Sequence, residues 1–181
     1  GPATVPRDYK THVYFQSPNR FADGSPDFPH GPRAGGGSYL AKHSPLCCTA
    51  ALNRIVPWYV THMWMATYDN GLVATCYGPC KVTALAANRL PVEIDCRTDY
   101  PFNESIEMSV KPARAAEFPI YLRIPRWCTN PELIVNGVAI KVIANAQGFV
   151  CLRRRWKSGD TIRLQLSMQA LVQIGRDNAP G

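Results

Sequence analysis

The chain has 181 residues, carries twenty Lys and Arg against thirteen Asp and Glu for a formal charge of +7, and is 46% apolar. That apolar fraction excludes a disordered tail, and charge or proline interrupts every apolar run well short of the roughly 20 residues that cross a bilayer. Sixteen prolines and thirteen glycines exceed what a helical bundle tolerates and suit short strands joined by turns, so the composition favours an all-β architecture.

The positive charge is dispersed along the chain, and its one tight run, Arg153-Arg154-Arg155, falls in a strand-like stretch. Alternate side chains of a strand face opposite ways, so no continuous basic stripe forms there and a nucleic-acid partner is not expected. The chain opens on Gly1-Pro2 without a methionine and shows no signal peptide, which suggests a processed or partial chain. Seven cysteines are an odd number without a repeat spacing, unlike a disulfide framework. Most thiols are expected to stay reduced, which favours the cytoplasm, with Cys76, Cys96 and Cys151 acting as small buried hydrophobes.

Residues 1–43 read as irregular apart from a short strand, His12–Gln16, closed by Ser17-Pro18-Asn19-Arg20. The Gly- and Pro-rich stretch Phe21–Ser38 is long for a compact domain unless it lines a site or packs under another segment. A helix follows. Ser44 suits the N-cap and Pro45 the first helical position, while Leu52, Ile55, Val56, Tyr59, Val60, Met63 and Trp64 share one apolar face. Pro57 falls inside that pattern and should kink it. So wide an aromatic face needs a covering partner.

From Asp69-Asn70-Gly71 the apolar period changes from helical to two. Strands are expected at Leu72–Tyr77, Val92–Cys96, Ser105–Val110, Phe118–Ile124, Leu133–Val135, Val138–Val142, Phe149–Leu152 and Thr161–Leu166. Tyr100–Asn103, Asn136-Gly137 and Ser158-Gly159-Asp160 separate them as turns, Asn136-Gly137 being a strong two-residue hairpin signal. The fold class that follows is mainly β: an antiparallel β-sandwich over residues 67–181, preceded by a loop and one long helix in residues 1–66.

Cys47-Cys48 is the most informative pair for chemistry. Both sit in the first turn of the expected helix, where unpaired N–H groups and the positive end of the dipole favour a thiolate. A thiolate can attack carbon or bind zinc, although two buried helix cysteines would show the same spacing. His43, four residues earlier, could join a metal or substrate site or simply lie on a surface loop. His62 falls off the apolar face and is expected to be partly exposed. Asp95, Asp99, Glu104 and Glu107 invite a paired-carboxylate reading, but Asp95, Asp99 and Glu107 lie in or beside alternating strands and should face solvent. Cys76 and Cys80 flank a turn at Gly78-Pro79 with no second matching pair, so a zinc ribbon is only weakly indicated.

Several short motifs recur in a fixed order: Tyr14-Phe15-Gln16-Ser17-Pro18-Asn19, Cys47-Cys48-Thr49-Ala50 with Asn53-Arg54, Thr98-Asp99-Tyr100-Pro101-Phe102, Leu122-Arg123-Ile124-Pro125-Arg126-Trp127, Val135-Asn136-Gly137 and Trp156-Lys157-Ser158-Gly159-Asp160. Together they resemble glycoside hydrolase family 127, the β-L-arabinofuranosidase-like enzymes. The resemblance implies that residues 1–66 close an (α/α)6 catalytic barrel and that residues 67–181 are the β-sandwich behind it. The missing barrel segment would then cover the helix face. By resemblance Cys47 is the nucleophile that attacks the anomeric carbon of an arabinofuranoside or related plant-type glycan, with retention of configuration. Cys47 and Cys48 would both ligate zinc, and His43, by its position near them rather than by the resemblance, is the candidate for contacting the sugar. The family's general-acid glutamate and its Glu-x-Cys zinc pair lie upstream of the cysteine pair, whereas no glutamate precedes Cys47 here. Ala51 replaces the asparagine usual four positions after the first cysteine. The resemblance therefore implies a partial, inactive chain of a glycosidase. Two other readings stand beside it: a carbohydrate-binding or structural sandwich with Trp127, Trp156 and Tyr100 as a stacking platform, and a non-enzymatic thiol or zinc module on Cys47 and Cys48.

Overall fold

Side chains that alternate between apolar and polar with a period of two bury one face of each strand, and two such faces pressed together account for most of this molecule. The structure, a computed structural model, describes residues 47–170, with side chains from Arg54 onward. Its elements are α1 (Cys47–His62), β1 (Trp64–Ala66), β2 (Leu72–Ala74), β3 (Cys80–Ala86), β4 (Leu90–Thr98), β5 (Ser105–Pro112), β6 (Ala116–Arg123), β7 (Pro131–Val135), β8 (Val138–Ile140), β9 (Phe149–Trp156) and β10 (Asp160–Leu166). The expected strand at His12–Gln16, the loop to residue 43 and the cap at Ser44-Pro45 lie outside the described residues.

The chain divides into two units between Thr61 and His62. In the first, α1 continues through Pro57, and the Thr61 hydroxyl donates to the carbonyls of Pro57 and Trp58 at 3.0 Å each. Of the apolar face read from the sequence, Ile55, Val56 and Val60 are each more than half exposed, as is Trp58, which that reading left off the face. No helix among the described residues is long and apolar enough to cross a membrane.

Met63 and Trp64, expected on that helix face, belong instead to the second unit, where both are buried. The Met63 carbonyl accepts the Thr75 N–H at 2.9 Å, and Trp64 pairs with Ala74 as β1 runs antiparallel to β2. The turn between them is built on Thr67, whose hydroxyl donates to Asp69 at 2.6 Å and accepts the Gly71 N–H at 3.0 Å. Only glycine fits at position 71, because a Cβ there would lie 2.4 Å from the Pro119 carbonyl oxygen.

The second unit is the expected β-sandwich. One sheet has the order β1-β2-β6-β9 and the other β3-β4-β5-β10-β7-β8. Every pair is antiparallel except β2 with β6. After β2 the chain crosses to the other sheet for β3, β4 and β5, then returns as β6 beside β2 in the same direction. That crossover is why one parallel pair interrupts an otherwise antiparallel fold.

The core lies between the sheets. Val92, Ile94, Ile106, Met108, Val110, Ile162 and Leu164 project from the larger sheet, and Leu72, Phe118, Ile120, Leu122 and Leu152 meet them from the smaller one. Asn136 and Gly137 take φ of 51° and 78°, the two left-handed positions a tight hairpin needs, with Val135 opposite Val138 as expected. Besides β1, several elements differ from the sequence reading: β2 stops at Ala74 rather than Tyr77, and β9 runs on to Trp156. β8 stops at Ile140, and β3 forms a hairpin with β4 through Ala87, Asn88 and Arg89, all at positive φ.

Candidate functional site

Cys47 and Cys48 lie on α1. His43 lies outside the described residues. Among the described residues no group of three or more His, Cys, Asp or Glu side chains is placed to hold a metal ion. His62 ends α1 and is half-buried, as its position off the apolar stripe predicts.

The carboxylates are structural. Asp95 accepts from Arg97 at 3.2 Å, Glu107 faces Arg163 at 3.4 Å, and Glu93 pairs with Lys111 at 2.9 Å. These residues stand on the outer face of β4, β5 and β10, and Asp95, Arg97, Glu107, Lys111, Thr161 and Arg163 line a shallow cleft of about 580 Å³. Charges this open to water stabilise little individually. Glu104 is a latch, accepting the Met168 N–H at 2.6 Å and the Gln165 amide at 3.0 Å. Asp99 is exposed and its carbonyl closes the turn to Phe102.

The aromatic platform does not form. Trp156 is fully buried, with its indole N–H on the Phe118 carbonyl, so its ring cannot stack on a sugar. Tyr100 packs edge-on against Tyr77, ring centroids 6.1 Å apart, and Trp127 stands partly exposed. Cys96 is buried as expected, but Cys76 is half-buried and Cys151 exposed. With Val150 and Leu152 turned inward on β9, the pleat forces Cys151 outward.

Two clusters escape a reading by short spacing because they join residues far apart in sequence. Asn136 donates from its amide to Asp160 at 2.9 Å and accepts the Thr161 N–H at 2.8 Å, while Asp160, buried, also accepts the Lys157 N–H. The Val135-Asn136-Gly137 and Trp156–Asp160 motifs are thus two halves of one clamp between hairpins. On the other sheet Asp69 accepts from Tyr121 at 2.8 Å and from Arg153 at 2.6 Å. Hydrogen bonds from Thr67 and Tyr121, with the Arg153 charge, hold the Asp69 carboxyl below its ordinary value. A carboxylate lowered by folding contributes stability that is complete above its unfolded pKa and is lost as pH falls through the lower folded value. Asp69→Asn is therefore expected to destabilise the chain at neutral pH, with the difference from wild type shrinking in acid. Urea midpoints measured from pH 7 down to pH 3 check it; a pH-independent difference would contradict it.

The family model of the middle domain of β-L-arabinofuranosidases of glycoside hydrolase family 127 matches residues 71–168. That span is more than half of the chain and runs across the sandwich to the end of β10. The chain belongs to glycoside hydrolase family 127, as the ordered motifs led one to expect. Among solved structures, a GH127 β-L-arabinofuranosidase from Geobacillus stearothermophilus T6 is similar over 94% of this chain and 26% of its own, at 23% identity and a TM-score of 0.78. A GH127 β-arabinofuranosidase is similar over 68% of this chain and 22% of its own, at 20% identity and a TM-score of 0.61. A protein described as a glycoside hydrolase is similar over 92% and 27%, at 23% identity and a TM-score of 0.71. At these identities the likeness establishes the fold. The chain spans about a quarter of the length of these structures. No curated protein matches it.

Proposed function

We propose that this chain is part of a retaining glycoside hydrolase that acts on arabinofuranosides or related plant-type glycans, with Cys47 as the nucleophile. One observation carries the reading: in a chain whose sandwich belongs to family 127, two adjacent cysteines lie on the helix that precedes that sandwich. The exposed Ile55, Trp58 and Val60 of α1 suit a helix that packs among the others of a barrel, which agrees with residues 1–66 closing the catalytic barrel.

The donor set fits zinc by its chemistry. Adjacent thiols are soft ligands of the kind zinc prefers, and Cys47 and Cys48 would hold it, with the two remaining ligands supplied from outside the described residues. Zinc bound there would supply the positive charge that keeps the Cys47 sulfur deprotonated at neutral pH. The Cys47 thiolate then attacks the anomeric carbon as the glycosidic bond breaks, and the leaving oxygen takes its proton from a general acid. Water then attacks the anomeric carbon from the face the leaving group vacated, opposite Cys47, breaking the bond to Cys47, and this second inversion retains configuration. His43, four residues before Cys47, would contact the sugar.

No glutamate precedes Cys47 in this chain, and a missing general acid alone costs about 10²–10⁴-fold in rate. The 181-residue chain by itself is accordingly expected to hydrolyse no aryl arabinofuranoside, while the complete protein does so and contains zinc. Turnover and metal content of both proteins test this. Turnover by the isolated chain, or a zinc-free complete protein at full rate, would contradict it.

A further inference from the structure

Cys80 and Cys96 play no part in the glycosidase reading. β3 begins at Cys80 and pairs with β4 so that the two cysteines are direct cross-strand partners. Opposed residues of an antiparallel pair have Cα atoms about 4.5–5.5 Å apart, inside the window of about 4.4–6.8 Å that a disulfide spans. Both are free thiols, Cys96 within the hydrophobic core and Cys80 packed against it.

Their surroundings divide the roles. β3 is the edge strand of its sheet, where Cys80 is half-buried, whereas Cys96 is 3% exposed behind it. Interaction with the neighbouring Cys96 thiol, aided by the Trp64 indole, brings the Cys80 thiol down to about 7. Interaction with Cys80 and then burial push the Cys96 thiol up, so it keeps its proton. An accessible sulfur that ionises near neutral pH, backed by a protonated partner within bonding reach, is the arrangement of an attacking and a resolving thiol.

We propose that Cys80 and Cys96 form an oxidation site at which hydrogen peroxide closes a cross-strand disulfide that ties the edge strand β3 to β4. The Cys80 thiolate attacks one peroxide oxygen and the O–O bond breaks, leaving a sulfenic acid on Cys80. The departing hydroxide takes up the proton that Cys80 had released and leaves as water. The Cys96 sulfur attacks the Cys80 sulfur, its proton passing to the hydroxyl, which leaves as a second water. Two thiols and one peroxide become one disulfide and two waters, the sulfurs being oxidised and the peroxide oxygens reduced.

The full chain, oxidised with one equivalent of hydrogen peroxide, unfolded, alkylated and digested with trypsin and chymotrypsin, tests the site. Cleavage after Tyr77, Lys81, Arg89 and Arg97 separates Cys76, Cys80 and Cys96 into different peptides. The expected product is the Cys80 peptide joined to the Cys96 peptide by a bond that reductant breaks. In the Cys96→Ser variant, Cys80 should stall as a sulfenic acid that dimedone traps. Should that buried substitution unfold the chain, Cys80→Ser at the half-buried edge position replaces it as the control. There the linked peptide must vanish and Cys96 must alkylate fully. Cys80 driven to sulfinic acid while Cys96 remains alkylatable, or a linkage of either cysteine to Cys76 instead, would overturn the proposal.

Discussion

Cys47→Ser in the complete protein is expected to reduce turnover of arabinofuranosides by at least about 10³-fold, with the substrate still bound. A hydroxyl in place of the thiolate is protonated at neutral pH, so the attacking electron pair is lost while the sugar's other contacts remain. The loss should therefore fall on kcat rather than KM. Cys48→Ser tests a different role. If Cys48 only holds the metal, its replacement should lower zinc content and activity together, with added zinc restoring part of both. Cys47→Ser should not be rescued in that way. Steady-state kinetics with an aryl arabinofuranoside, paired with metal analysis of each variant, separates the two, and equal rescue of both variants by zinc would remove the case for Cys47 as the attacking atom.

Trp156→Ala is expected to cost about 3–5 kcal/mol, the range for emptying a fully buried aromatic position. Trp156 has no exposed surface. It donates to the Phe118 carbonyl at 3.0 Å, its ring lies 6.3 Å from that of Phe118, and the Arg154 guanidinium sits 5.1 Å above it. Truncation opens a cavity between the last residues of β9 and the start of β6, where Trp156 faces Ala116, and leaves a buried carbonyl without its donor. Against a total stability of about 5–15 kcal/mol, the variant should melt more than about 10 °C below the parent. Trp156→Phe keeps most of the ring and loses only the N–H, so its drop should be smaller. Thermal unfolding followed by circular dichroism decides it, and a shift below about 3 °C for the alanine variant would mean that Trp156 is not a keystone of this core.

The clearest strands in the sequence are those in which apolar residues alternate with polar ones: β4, β5 and β10 bury every second side chain, and β6 adds Pro119 to its alternating Phe118, Ile120 and Leu122. β3 escaped because Ala84-Leu85-Ala86-Ala87 favours a helix by propensity, and its turn uses Ala87, Asn88 and Arg89 at positive φ where glycine would have signalled it. β1 escaped for the opposite reason. Met63 and Trp64 continue the helical spacing of α1 without a stop residue, and only the long-range pairing of β1 with β2 ends the helix there. The parallel contact of β2 with β6 was not legible at all, since it depends on the crossover rather than on either segment.

The motifs that carried the family resemblance have mixed fates in the structure. Asn136 and Asp160 are legible as turn residues, and the fold shows that one clamps the other. The pairing of Cys80 with Cys96 was hidden by the missed β3, for without that strand the two thiols are merely sixteen positions apart.

Mass analysis of the complete protein, quenched during turnover of a slowly hydrolysed activated arabinofuranoside, tests the assignment of Cys47 most directly. A pentosyl group should be found on the peptide that carries Cys47, and it should be absent from the Cys47→Ser protein. A sugar bound to a carboxylate elsewhere, with the cysteine peptide unmodified throughout, would contradict it.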